Sequence, residues 1–203
     1  MTEHLAPSLS AVVAPAAPPS RVVLLPGTPL LLRRNASLHD PVAELRAACH
    51  AALAWVGPHP QVIANPAGGE MVEDLLAAAA GDPREGEGCR GGSGILTGTT
   101  YVVVGNGTAC RTPKAPGMYD ERAAAFDALI RRALVNADVT TLTRLDPALL
   151  NDLKVDAAAL PALIRLLDTP GHDHPPLRGE VTYDDAPYGV QYWVMRWERT
   201  IRG

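Results

Sequence analysis

The chain has 203 residues, of which 47% are apolar, and a formal net charge of −4 at pH 7. That length suits one domain with a sizeable core, and the apolar content excludes a chain that is disordered throughout. The acidic balance and the lack of a basic stripe argue against nucleic-acid binding, and no run of about 20 apolar residues predicts a membrane span.

The first 20 residues are rich in Ala and Pro and contain no Lys or Arg. The prolines break any helix, and the charged start of a secretory signal is missing. Residues 1–20 are therefore predicted to be a disordered tail before a single domain over residues 21–203.

The three cysteines, Cys49, Cys89 and Cys110, form no C-x-x-C pair. An odd count with wide spacing predicts neither a disulfide framework nor a structural zinc site. This cysteine usage fits the reducing cytoplasm, which is the expected location.

Residues 22–25 form a short apolar run that predicts a strand buried on both faces, and residues 30–32 form a second run. Asp40 is expected to cap a helix that ends at Gly57. Residues 61–65 predict the next strand and residues 70–80 the next helix. The expected buried positions of the two helices are Val42, Leu45, Cys49, Leu53 and Val56, followed by Met71, Leu75 and Leu76.

Residues 81–98 contain seven glycines and predict a loop. Residues 99–104 predict a third buried strand, which runs into the glycine-rich turn at residues 105–108. In open α/β sheets, ligands bind beside such turns at the carboxyl ends of parallel strands.

The second half of the chain predicts a helix over residues 121–135, capped by Asp120 and buried through Ala125, Leu129 and Ala133. Short helices follow at 147–154 and 158–167, and a loop at 171–176. Residues 179–183 and 190–197 predict an antiparallel pair of strands, the last with core on one face. The whole pattern predicts an α/β domain with a mixed, mostly parallel central sheet.

Three segments, residues 102–109, 114–127 and 179–190, resemble the actinobacterial B-subunit-like family of class III extradiol ring-cleavage dioxygenases. The order of elements agrees with that family across residues 21–197. The resemblance implies a three-layer α/β/α fold.

Dioxygenases of this superfamily hold Fe(II) with two histidines and a carboxylate. The resemblance aligns the first two ligand positions with turns that contain Thr28 and Asn65, and a catalytic histidine with residues 105–108, where none occurs. No iron and no other cofactor is therefore expected, because a lone carboxylate holds metal weakly. Which of Glu180, Asp184 and Asp185 corresponds to the third ligand stays open.

Two other groups of residues are possible sites. His172 and His174 have ligand-type spacing in a loop, and are weak metal candidates against an exposed polar loop. Cys110 follows the glycine-rich turn, but no histidine lies close in sequence, which favours a buried or incidental thiol over a nucleophile.

Polar residues beside the glycine-rich turn and in the last hairpin could hold a ligand, or could form helix caps, ion pairs and turn contacts. Catalytic residues cannot be named from the sequence. The candidate pocket residues are Thr28, Asn65, Gly105, Asn106, Gly107, Thr108, Lys114, Asp120, Arg122, Asp184, Asp185 and Tyr188.

Three functions fit this pattern. The first is a dioxygenase-like domain that has lost its iron and binds a small molecule or a protein partner. The second is an enzyme with altered chemistry in the same cleft, without iron or with another metal. The third is a non-catalytic subunit of a two-subunit oxygenase, and the resemblance leaves assembly into an oligomer open.

Overall fold

The computed structural model describes residues 19–35, 40–81, 99–168 and 177–199. Most of the predicted tail and most of the glycine-rich segment at residues 81–98 lie outside the described residues. The same holds for the loop at residues 171–176, with His172 and His174.

Five strands form one sheet in the described part of the chain: Arg21–Leu25 (β1), Gln61–Ile63 (β2), Thr100–Val104 (β3), Glu180–Asp185 (β4) and Tyr192–Glu198 (β5). Their spatial order is β2-β3-β1-β5-β4. The pairs β2–β3 and β1–β3 are parallel, whereas β5 is antiparallel to both β1 and β4. Four strands therefore share one direction, and the prediction of a mixed sheet with an antiparallel final pair is confirmed.

Six α-helices are present in the described residues: Ala43–Val56 (α1), Pro66–Gly81 (α2), Arg122–Val135 (α3), Val139–Thr143 (α4), Pro147–Asp152 (α5) and Ala159–Leu167 (α6). Helices α1 and α2 cover one face of the sheet, against Val23, Leu25 and Val102. Helices α3, α4 and α6 pack with Val22, Leu24 and Val103 on the other face. This covering explains why the sequences of β1 and β3 are continuous apolar runs.

Strand β5 departs from its prediction. Trp193, Met195 and Trp197 are buried on one face, and Tyr192 and Val194 are buried on the other. The expectation of core on one face was wrong because β5 lies inside the sheet, between β1 and β4, and helices pack over both of its sides.

Helix α2 begins at Pro66, four residues before the predicted start. The Asn65 side chain accepts a hydrogen bond from the Gly68 backbone N–H at 2.8 Å, and Pro66 occupies the first helical position. A capping side chain followed by proline starts a helix even before two glycines. Residues 29–31 form a 3₁₀ turn.

Of the three positions of α3 predicted to be buried, one was wrong, since Ala133 is buried and Leu129 packs against the core. Ala125 is exposed, whereas Ala123, Phe126 and Ile130 are buried against the sheet. Asp127 follows Phe126 into the interior and is only 2% exposed. A carboxylate at that depth needs partners, because an uncompensated buried charge is costly.

The short helix α4, absent from the predicted elements, begins where the Asp138 side chain accepts from the Thr141 backbone N–H at 3.0 Å. Within the described ranges, every helix is too short or too polar to cross a bilayer.

Candidate functional site

A cavity of about 240 Å³ lies between α3 and the turn that joins β4 to β5. Residues from α3, from the end of β4, from the start of β5 and from the segment after β3 form its wall. They are Arg111, Ala124, Asp127, Ala128, Arg131, Asp184, Asp185, Ala186, Gln191 and Trp193.

The position of the cavity follows from the topology of the sheet. Strands β3 and β4 run in the same direction, so Arg111 and Asp184 both lie near the carboxyl ends of these strands. After β3 the chain also passes from the α1–α2 face to the α3–α6 face. Ligand crevices in open α/β sheets form where the connections change face.

Asp127 is the most buried acidic group of the cavity wall. Its Oδ1 accepts from the Thr108 backbone N–H at 2.9 Å, and its Oδ2 accepts from the Thr108 hydroxyl at 2.7 Å. Arg111 Nη1 donates to the same Oδ2 at 3.1 Å. Burial raises the pKa of Asp127, while the hydrogen bonds from Thr108 and Arg111 oppose that rise.

Gln191 connects this carboxylate to the β4–β5 hairpin. Its Oε1 accepts from Arg111 Nη1 at 2.8 Å, and its Nε2 donates to Asp184 Oδ1 at 3.0 Å. Trp193 Nε1 donates to the same Asp184 oxygen at 3.0 Å, and Arg131 Nε donates to the other. The network is continuous from β3 through α3 to β5, which holds the wall side chains in place without a ligand.

Gly107 makes this convergence possible. A Cβ at this position would lie 2.7 Å from Asp127 Oδ1, 2.8 Å from the Trp193 ring and 2.9 Å from Gln191 Cβ. These distances are too short for any side chain. The second glycine of the predicted turn is therefore a packing position behind the cavity wall.

The first half of the glycine-rich turn is covered by α6 and by the turn that contains Gly27. Gly105 lies under Ala159 at the start of α6, where a Cβ would meet the alanine methyl at 2.3 Å. The Asn106 amide bridges Gly27, accepting from its N–H at 2.9 Å and donating to its carbonyl at 3.0 Å. This bridge joins the turns that follow β1 and β3.

Thr28 and Asn65, which the sequence resemblance places at the expected iron-ligand positions, serve as caps. Thr28 Oγ1 accepts from the Leu30 N–H at 3.4 Å, and Asn65 Oδ1 accepts from the Gly68 N–H. Neither residue carries an imidazole, and the described residues contain no group of three His, Cys, Asp or Glu side chains that could hold a metal. The chemistry of these donors does not fit Fe(II).

The other predicted site residues lie apart from the wall. Lys114 is exposed. Asp120 lies two residues before the start of α3, where it pairs with Arg122 at 2.7 Å and accepts from its backbone N–H. Tyr188 is 58% exposed and has a left-handed φ of 59° in the turn between β4 and β5.

Of the twelve predicted pocket residues, Asp184 and Asp185 line the cavity, and Gly107 and Thr108 support it from behind. Sequence reasoning missed the other polar and aromatic residues of the wall, which are Arg111, Asp127, Arg131, Gln191 and Trp193. The sequence held one signal of a buried acidic residue. Asp127 directly follows Phe126 and lies among the apolar positions of the same helix.

Cys110 is buried, and its thiol lies 3.4 Å from the Gly117 carbonyl oxygen. Burial raises the pKa of this thiol. Both properties disfavour a thiolate nucleophile.

No family model matches the chain, and no curated protein matches it either.

Proposed function

We propose that this protein is a small-molecule-binding domain with a class III extradiol dioxygenase-like fold and no iron site. The ligand occupies the cavity between α3 and the β4–β5 turn. Ring cleavage forms no part of the proposal, because the turns that would hold iron carry capping side chains.

Two features support the fold in this proposal. The sheet is mixed, with four of its five described strands in one direction, and helices cover both faces. These are the layers that the resemblance implies. The resembling segments cover the end of β3 with the turn after it, the start of α3, and β4, and the last two contribute residues to the cavity wall.

The observation that carries the binding function is the hydrogen-bonded wall of the cavity. Asp127 and Gln191 are 2% and 3% exposed, and each is fixed by several partners. Polar side chains fixed in advance at the carboxyl end of a sheet reduce the conformational entropy that the protein loses when a ligand binds. The volume lies below the roughly 300–1,000 Å³ of pockets for drug-sized ligands, which indicates a small metabolite.

A screen of small metabolites by NMR tests this function. The indole N–H of Trp193 lies in the wall, and its resonance reports on occupancy. We expect at least one compound to shift that resonance at micromolar to millimolar concentration. Failure of every compound across a broad library contradicts the proposed function.

A pair of substitutions on α3 tests whether the ligand binds in this cavity. Ala128 is exposed and lines the cavity, whereas Ala125 is exposed on the same helix and does not line it. Ala128→Leu should block binding because its side chain fills the space, and Ala125→Leu should leave binding unchanged. Equal binding by both variants would move the site elsewhere.

An enzyme of altered chemistry is the second candidate, and Asp127 is the observation that favours it. A buried carboxyl group with a raised pKa, in the wall of a cavity, is a typical general acid or base. Mass spectrometry of a bound compound after incubation tests this candidate. Wild type should convert the compound and Asp127→Asn should not, whereas a compound that both proteins leave intact counts against catalysis.

A further inference from the structure

We infer that the cavity takes a small molecule with one carboxylate group, held by Arg111 and Arg131. This inference rests on the proposed function and adds the chemical class of the ligand. It follows from the hydrogen-bonding capacity that the wall leaves unused.

The acceptors of the inner wall are already engaged. Asp127 accepts three hydrogen bonds, two from Thr108 and one from Arg111. Asp184 also accepts three, from Gln191, Trp193 and Arg131. A ligand group that donates hydrogen bonds would have to compete with these partners.

The N–H groups of the two arginine side chains in the wall are only partly used as hydrogen-bond donors. A guanidinium has five N–H groups in a planar fork. Arg111 uses Nη1 toward Asp127 and Gln191, and Arg131 uses Nε toward Asp184. Among the residues that the structure describes, Arg111 Nε and Nη2 and both Nη atoms of Arg131 have no hydrogen-bond partner.

The side chains of Arg111 and Arg131 are 29% and 43% exposed, so a ligand in the cavity can reach them. Apart from the exposed Asp185 carboxylate, which among the described residues accepts only from the Ala186 N–H, the spare hydrogen-bonding capacity of the wall is therefore for a group that accepts hydrogen bonds. A carboxylate matches the guanidinium fork with two parallel bonds.

The charges of the wall favour a carboxylate over a phosphate as the ligand group. Two guanidiniums face three carboxyl groups, those of Asp127, Asp184 and Asp185, in the same wall. A second negative charge on the ligand would lie close to Asp184 and Asp185, where like charges repel. A monoanion fits this balance better than a dianion.

The remaining residues of the wall indicate the size and polarity of the part of the ligand that does not carry the charge. Ala124, Ala128 and Ala186 contribute methyl groups, and Trp193 contributes part of its ring. These surfaces suit a compact apolar group. Benzoate has both features and serves as the probe, and benzamide has the same shape without the charge.

The experiment is an NMR titration of the full-length, ¹⁵N-labelled chain with benzoate, benzamide and inorganic phosphate. Benzoate should shift the Trp193 Nε1–H and Arg131 Nε–H resonances, and benzamide and phosphate should bind at least tenfold more weakly. Arg131→Gln should weaken benzoate binding roughly tenfold, as expected for one charge-assisted hydrogen bond. Arg132→Gln removes the same charge from an adjacent exposed residue and should change the affinity less than twofold.

The outcomes separate the two proposals. Equal binding of benzoate and benzamide, tighter binding of phosphate, or no effect of Arg131→Gln would overturn the carboxylate class. In those cases, the proposed binding function would still stand if Ala128→Leu blocked the binding. If neither the probes nor any library compound shifts the Trp193 resonance, both proposals are wrong.

Discussion

Thr108 holds Asp127 with two hydrogen bonds, one from its backbone N–H and one from its hydroxyl, across 19 residues of sequence. The first residue follows the end of β3, and the second lies near the middle of α3. This pair attaches α3 to the sheet at the point where the cavity wall begins. Both residues are almost completely buried, at 0% and 2% exposure.

Thr108→Val should lower the free energy of unfolding by about 1–3 kcal/mol. The substitution keeps the shape but removes a hydroxyl donor, which leaves a buried carboxylate oxygen with one partner fewer. Urea denaturation measures the change. Thr143→Val, which removes an exposed hydroxyl bonded to the Val139 carbonyl, should cost less than about 0.5 kcal/mol. Equal costs would contradict a special role for the buried pair.

Asp127→Asn should change how stability depends on pH. Burial raises the pKa of Asp127 in the folded state above its ordinary value of 3.8. The folded state therefore binds the proton more tightly than the unfolded state, so this group's contribution to stability falls as pH rises through the folded pKa. Wild type should lose stability relative to Asp127→Asn between pH 3.8 and neutral pH.

Urea unfolding of both proteins at several pH values measures that difference. Using the difference removes the shared contributions of carboxylates such as Asp120, whose pKa is lowered by Arg122. A difference that is constant with pH, or that grows in favour of wild type as pH rises, would show that the Asp127 pKa is not raised.

Gly107→Ala should destabilise the protein by roughly 1–3 kcal/mol, because the added methyl would overlap Asp127, Trp193 and Gln191. Gly69→Ala is the matched control, since a Cβ there has no atom within 4 Å and lies in helix α2. The control should stabilise the protein by about 0.5 kcal/mol through helix propensity. Thermal and urea unfolding report both signs, and a harmless Gly107→Ala would disprove the close packing.

The thiols of Cys49 and Cys110 should not react in the folded protein. Both are buried, and burial raises the pKa of Cys49 to about 12. In a Cys89→Ser background, a thiol reagent at pH 8 should label neither cysteine until guanidinium chloride unfolds the chain, and should then label both. Rapid labelling of Cys110 without denaturant would reopen its role as a nucleophile.

Local patterns predicted the elements whose burial follows simple periodicity. The apolar runs of β1 and β3 and the spacing of Leu45, Cys49 and Leu53 on α1 needed no tertiary information. The burial of strand β5 was predicted incorrectly because its second buried face depends on neighbours far away in the sequence.

The site was harder to predict than the fold. Arg111 and Gln191 are 80 residues apart, and their contact exists only because the chain leaves β3 and enters β5 at the same end of the sheet. Of the predicted glycine-rich turn, α6 and Gly27 close the Gly105–Asn106 half, whereas Gly107 and Thr108 support the cavity wall from behind. The predicted Asp184 and Asp185 lie at the cavity because they end a strand that runs parallel to β3.

The Asn106–Gly27 bridge also bears on protein design. The resemblance to iron dioxygenases would lead a designer who wished to install an iron centre here to begin with histidines at positions 28 and 65. Each replacement would remove a cap, and the bridge would still fix the spacing of the two turns that follow β1 and β3. Grafted imidazoles alone are therefore a poor route to an oxygenase, and a workable design would have to rebuild the loops after β1, β2 and β3 together.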